Sequence, residues 1–225
     1  MDDSVVVPGT RDVRGTLDRS SEPEATNSDS IVVACPPHPE YGGNRGDSRL
    51  RAVSDRLTAA GIDCLRFDYG PWDEGYGERS DAENAVRWAA DRYERVGLFG
   101  FSFGGTITIV TAADHDGAIA ASALAPTARL DAEIAAVEAL DRIDVPIQIV
   151  YGTRDTTADW RPVVDRARDL LDDRTPKASE DRSGVDSNGP TIDLVEFEAD
   201  HFFVGQTRKV AAPIGSFFES TVGRH

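Results

Sequence analysis

Val96-Gly97-Leu98-Phe99-Gly100-Phe101-Ser102-Phe103-Gly104 is the stretch on which the reading of this chain turns. Its first six residues form a short apolar run without alternation, the pattern of a strand buried on both faces of a sheet. The run closes on G-x-S-x-G, which is weak evidence as a bare match and gains weight from following a buried strand. Such a chain must turn from strand to helix within a residue or two, which holds Ser102 strained with its hydroxyl exposed. Side chains at Gly100 and Gly104 would collide with neighbouring backbone there. A helix is expected just after Ser102 although Thr106 to Thr111 is rich in β-branched residues that favour strand, because a parallel sheet needs a crossover at this point.

Outward from this point the same alternation repeats. Strands are expected at Ile31 to Cys35, Asp63 to Phe67, Val96 to Phe101, Ile119 to Leu124, Ile147 to Tyr151 and Ile192 to Phe197. Between them lies helical periodicity: Leu50, Val53, Leu57 and Ala60 share one stripe that ends at Gly61, and Ala82, Ala85, Val86, Ala89 and Tyr93 share another. Ser80 with Glu83 reads as a capping box for the second of these helices. Ahead of the alternating region, Val5 to Val7 and Val13 to Leu17 flank Pro8-Gly9 and read as a hairpin, followed by a polar loop to Ser30. Leu130 to Leu140 has room for one helix, and 169–190 reads as a surface loop. The fold class expected is α/β, a mostly parallel sheet with helices on both faces and an antiparallel N-terminal hairpin, in one domain spanning 1–225.

Composition narrows the function classes. The 225 residues carry 40 acidic against 24 basic side chains, a net charge of −16, and the only lysines are Lys177 and Lys209. Such a surface repels nucleic acid and anionic membranes. It is also the surface expected of a protein working in concentrated salt, where screening removes self-repulsion, so a halophilic source is expected. There is no run of 18 apolar residues and no basic-then-apolar leader after Met1-Asp2-Asp3, which predicts a cytoplasmic protein. Cys35 and Cys64 lie in or beside strand-like runs and read as buried thiols.

A serine hydroxyl is a poor nucleophile unless a base lies within hydrogen-bond reach and an acid orients that base. Of four histidines, His225 is terminal, His115 sits at an expected helix end, and His38 reads as a loop-fixing residue. His201 follows the last strand in Glu198-Ala199-Asp200-His201-Phe202-Phe203, where a loop beyond a strand's carboxyl end delivers it to the site. Asp155 follows Ile147 to Tyr151 in the same way, with Asp159 as its rival. Asp200 is too close in sequence to aim at the ring edge of His201, and Asp144 lies before its strand, on the opposite rim. Acyl chemistry needs N–H donors for an oxyanion. Phe103 supplies one, and Glu40 or Tyr41 the other, since Pro36, Pro37 and Pro39 have no N–H. Tyr69, Trp72 and Tyr76, in the loop after the second parallel strand, are candidates for an apolar substrate wall.

His38-Pro39-Glu40-Tyr41-Gly42-Gly43, Arg66-Phe67-Asp68-Tyr69-Gly70, the segment around Ser102, Tyr151-Gly152-Thr153-Arg154-Asp155 and Ala199-Asp200-His201-Phe202-Phe203 together resemble the α/β-hydrolase superfamily, in particular its small, lidless dienelactone-hydrolase-like members. The chain order Ser102, Asp155, His201 is that of this superfamily. The resemblance covers roughly Ile31 to Phe218 and implies a serine hydrolase acting on a small ester or related acyl compound, with no metal or organic cofactor. A thioesterase, amidase, peptidase or acyltransferase could use the same three residues, as could a silent binding protein of this fold. Dienelactone hydrolases proper carry cysteine where Ser102 stands, so dienelactone itself is not the expected substrate. The short segment between Leu124 and Ile147 leaves no room for a long cap, and an open site is expected.

Overall fold

The computed structural model describes residues 2–20, 28–174 and 189–223. Among the described residues, eight strands form one sheet: β1 (Asp2–Val7), β2 (Val13–Asp18), β3 (Ser30–Cys35), β4 (Asp63–Phe67), β5 (Arg95–Phe101), β6 (Ala120–Leu124), β7 (Ile147–Gly152) and β8 (Ile192–Phe197). Their order is β1-β2-β4-β3-β5-β6-β7-β8. β1 and β2 make the antiparallel hairpin and β2 joins β4 antiparallel; from β4 to β8 every pairing is parallel. The sequence predicts this architecture, and the six parallel strands match its expected bounds within a residue. Every residue of β3 is buried, as its continuous apolar run requires, whereas β2 at the antiparallel end alternates buried with more exposed positions.

Six α-helices among the described residues cover the sheet: α1 (Ser48–Thr58), α2 (Tyr76–Ala90), α3 (Phe103–Asp114), the single turn α4 (Ala136–Ala139), α5 (Arg161–Arg174) and α6 (Thr207–Thr221). Leu50, Val53 and Leu57 of α1 pack with Val210, Ile214 and Phe218 of α6 in a core on one face. Residues of α2, α3, α4 and α5 build the core on the other. The chain leaves β3 for β4 on one side and returns to β5 on the other, which opens a crevice at the carboxyl ends of β3 and β5 where such sheets bind ligands.

Local differences from expectation have identifiable causes. α3 is a helix despite its β-branched run because Thr106 through Thr111 are all buried against the sheet and α2; tertiary packing outweighs propensity there. Ser80 and Glu83 do not cap α2. The helix begins a turn earlier, where the Glu78 carboxylate accepts the N–H groups of Gly75 at 2.9 Å and Asp73 at 3.1 Å. Ser80 instead donates to the Tyr76 carbonyl, and Glu83 pairs with Arg79.

Leu130 to Leu140 is not a helix. The Leu130 N–H goes to the Ile134 carbonyl and Arg129 bridges to Ala135, a tight antiparallel return that leaves only α4 and a 3₁₀ turn at Leu140–Arg142. The expected loop at 169–190 is helical through Arg174, and its remainder through 188 lies outside the described residues. No helix among the described residues is long and apolar enough to cross a membrane.

Candidate active site

The site grows from the end of β5. Ser102 has φ 57° and ψ −119°, a left-handed conformation that costs a non-glycine residue energy and turns its hydroxyl out of the strand. Its N–H is anchored on the Leu124 carbonyl of β6 at 2.8 Å, and its own carbonyl accepts from Thr106 at 3.1 Å. A Cβ at Gly100 would lie 2.1 Å from the Gly104 carbonyl oxygen, and one at Gly104 would lie 2.3 Å from that of Cys35. The two glycines therefore let β5, α3 and the loop after β3 pack closely enough to hold this turn.

The loops after β7 and β8 bring the other two groups. Thr153 and Arg154 N–H groups donate to the carbonyls of Phe197 at 2.8 Å and Ala199 at 3.0 Å, tying one loop to the other. Gly152 permits that approach, since a Cβ there would sit 2.5 Å from the Ala199 oxygen. The result is a continuous relay: Ser102 Oγ lies 2.9 Å from His201 Nε2, and His201 Nδ1 lies 2.7 Å from Asp155 Oδ2. Asp155 Oδ1 accepts the N–H groups of Thr157 at 2.8 Å and Ala158 at 3.0 Å. Ser102 is half-buried and so within reach of solvent, whereas His201 and Asp155 are buried.

Electrostatics follow from these contacts. Burial opposes charge on Asp155, but the bonds from His201, Ala158 and Thr157 outweigh it and hold the carboxyl below the usual carboxylate range. A charged Asp155 fixes the His201 proton on Nδ1 and leaves Nε2 as an acceptor for the serine proton. Asp159 is exposed, with its N–H on Thr127 Oγ1 and its carbonyl taken by Ala128, and the His201 Nδ1 partner is Asp155 instead. Asp200 turns back to accept the N–H of Phe202. Cys35 and Cys64 are free, buried thiols pushed up to about 12 by burial.

The two backbone groups considered for the second oxyanion donor are both occupied in this structure. Glu40 N–H donates to His38 Nδ1 at 3.3 Å, and Tyr41 N–H to the His38 carbonyl at 3.2 Å. His38 thus fixes its loop, and burial lowers the pKa of its ring and favours the neutral form. Phe103 N–H, at the first position of α3, belongs to the set that has no carbonyl partner within a helix.

The aromatic candidates divide. Trp72 stacks obliquely on His38, with ring centroids 4.5 Å apart, and lies 5.7 Å from Phe103 beside the serine. Tyr69 packs edge-on to Phe103, with its buried hydroxyl beside the Cys35 thiol. Tyr76 is not in the loop but opens α2, and its hydroxyl donates to Asp131 at 2.8 Å. Three neighbours of the site have no signal in the sequence: Trp160, whose Nε1–H holds the Asp155 carbonyl at 3.2 Å; Arg49, whose guanidinium stands 4.4 Å over Phe101; and Arg11, described below. Among the described residues, no group of three His, Cys, Asp or Glu side chains is arranged to hold a metal ion.

The strand order and a serine elbow at the carboxyl edge define an α/β-hydrolase fold. Residues 75–181 match the model of the dienelactone hydrolase family, a stretch that includes Ser102 and Asp155 and ends before His201. Among solved structures, an α/β serine hydrolase homologue from Coxiella burnetii superposes with a TM-score of 0.76 at 20% identity, covering 96% of each chain. A serine hydrolase without a lid from Xanthomonas campestris gives 0.76 at 18% identity, covering 100% of this chain and 96% of its own. An esterase from Pyrococcus furiosus gives 0.75 at 18% identity, covering 99% and 94%. No curated protein matches. These likenesses show the α/β-hydrolase fold, and over residues 75–181 the chain is similar to the dienelactone hydrolase family.

Proposed function

We propose that this protein is a serine hydrolase that cleaves a small, uncharged ester or related acyl compound through an acyl-Ser102 intermediate. The observation that carries the proposal is the unbroken relay from Ser102 Oγ to His201 to Asp155, at 2.9 and 2.7 Å. His201 Nε2 takes the serine proton as Oγ attacks the acyl carbon, and Asp155 steadies the imidazolium that forms. The tetrahedral oxyanion is met by Phe103 N–H at the start of α3, where the helix dipole also favours negative charge. For the second donor, Glu40 suits better than Tyr41. Its bond to an imidazole nitrogen is long at 3.3 Å, and a charged oxygen competes well for such an N–H.

His201 then returns the proton to the leaving alcohol, and water enters in its place. With His201 again acting as base, water adds to the acyl-serine; the acid leaves and the proton returns to Ser102 Oγ. Trp72 offers an apolar surface beside Phe103 for the acyl or alcohol part. The exposed Glu40 carboxylate and the net charge of −16 disfavour an anionic substrate. The esterase and serine hydrolase descriptions of the structural neighbours agree with this chemistry.

The direct test is hydrolysis of p-nitrophenyl acetate and butyrate in high-KCl buffer. Wild type is expected to turn over, and Ser102→Ala to lose on the order of 10³-fold or more in kcat. A folded wild-type protein that cleaves no neutral ester would overturn the proposal.

A further inference from the structure

The β1–β2 hairpin lies outside the parallel sheet, yet Arg11 in its turn reaches the loop that carries Trp72. The guanidinium donates to the Pro71 carbonyl, and stands 3.6 Å from Asp73, 3.3 Å from Glu78 and 3.2 Å from Asp81. Its partners at 71 and 73 therefore bracket Trp72. The side chains of Glu78 and Asp81 are 0% and 2% exposed, and that of Arg11 only 18%. These carboxylates hold the loop in turn: Glu78 accepts the N–H groups of Asp73 and Gly75, and Asp81 accepts that of Gly70 at 2.9 Å.

Two glycines make the slot in which the guanidinium lies. A Cβ at Gly70 would be 2.6 Å from Arg11 Nε, and one at Gly77 would be 1.2 Å from Arg11 Nη1. The loop is also strained where it enters α2, with Glu74 at φ 54° ahead of Gly75 at φ 97°. A non-glycine residue keeps such a conformation only where its surroundings impose it.

We infer that Arg11 is a positioning residue for substrate binding: by clamping 70–78 to the hairpin it holds Trp72 against His38 and Phe103 at the mouth of the site. The inference rests on the proposed role of Ser102 and concerns how the apolar part of the substrate is seated. Arg11 touches none of the reacting atoms, so its loss should weaken binding while leaving the chemical step intact.

Two variants release the clamp by different routes. Arg11→Ala removes the cation, while Gly77→Ala keeps every charge and evicts the guanidinium with a methyl group. Each is expected to raise KM for p-nitrophenyl butyrate roughly tenfold, the worth of a lost apolar contact, with kcat within about twofold of wild type. Trp72→Ala should do the same, and Arg11→Ala/Trp72→Ala should be no worse than Trp72→Ala alone.

Acrylamide quenching gives a readout independent of catalysis. Trp72 is 36% exposed while Trp88 and Trp160 are 8% and 7% exposed, so quenchable emission comes chiefly from Trp72, with Trp72→Phe as the reference. Quenching should increase in both clamp variants. Should Arg11→Ala fail to fold, Gly77→Ala carries the test. Unchanged KM and unchanged quenching in a folded clamp variant, or a fall in kcat at constant KM, would overturn the inference. A wild type that cleaves no ester would instead sink the hydrolase proposal, and the quenching comparison would still decide whether Arg11 fixes Trp72.

Discussion

Replacing Asp155 by asparagine separates orientation of His201 from the mere presence of a polar group. Asp155 uses both oxygens: Oδ1 accepts two backbone N–H groups at 2.8 and 3.0 Å, and Oδ2 faces His201 Nδ1 at 2.7 Å. Asparagine has one oxygen. If its amide nitrogen faced Thr157 and Ala158, buried donors would meet without an acceptor, at about 1–3 kcal/mol for each. The oxygen therefore stays with the backbone, and the amide NH₂ turns to His201. Nδ1 must then accept, and the single proton of the neutral ring moves to Nε2, facing Ser102 Oγ. That tautomer cannot take the serine proton. The expected loss is on the order of 10⁴-fold in kcat, or about 5.5 kcal/mol of barrier. Because the backbone bonds survive, stability should fall by only about 1–2 kcal/mol. Steady-state kinetics on p-nitrophenyl butyrate, paired with urea unfolding, measures both. A folded Asp155→Asn enzyme with kcat within about tenfold of wild type would refute the assignment of His201 and its orienting acid.

Gly104→Ala places a Cβ 2.3 Å from the Cys35 oxygen and 2.4 Å from that of Pro36, so backbone must move. It should cost about 1–3 kcal/mol in urea unfolding and roughly 100-fold in kcat through displacement of the serine turn; wild-type behaviour in both would contradict the packing described. The folded pKa of Asp155 is depressed, so its contribution to stability is full above the unfolded carboxylate value, about 3.9. That contribution is lost as pH falls through the lower folded value. The stability gap between wild type and Asp155→Asn should therefore hold steady from neutral pH to about 5 and narrow below about 4; a gap that widens on acidification would oppose the sign. The net charge of −16 predicts that activity and thermal midpoint rise from dilute to molar KCl, and a maximum in dilute buffer would reject a salt-adapted surface.

How far the sequence spoke for itself differed by feature. The parallel strands were legible because residues buried on both faces leave unbroken apolar runs, as in Ile31 to Cys35. The residues brought together at the site were legible because each follows a strand's carboxyl end, and all such ends converge on one rim. The turn at Leu130 to Ala135 was not: its apolar residues point inward from an antiparallel return, and spacing alone does not distinguish that from a short helix. The start of α2 escaped as well, because its capping carboxylate is Glu78, whose first partner is a glycine N–H rather than a cap side chain. Arg11 was invisible for a different reason. Its partners, from Pro71 to Asp81, lie far along the chain, and nothing local marks a turn arginine as bound for a slot between Gly70 and Gly77.

The claim that Ser102 is an activated nucleophile is tested most directly by fluorophosphonate labelling, with the modified peptide located by mass spectrometry. Wild type in high-KCl buffer should carry one adduct, on Ser102; Ser102→Ala should carry none, and His201→Ala should label far more slowly. A folded wild-type protein that stays unlabelled, or an adduct on another residue that persists in Ser102→Ala, would contradict the account.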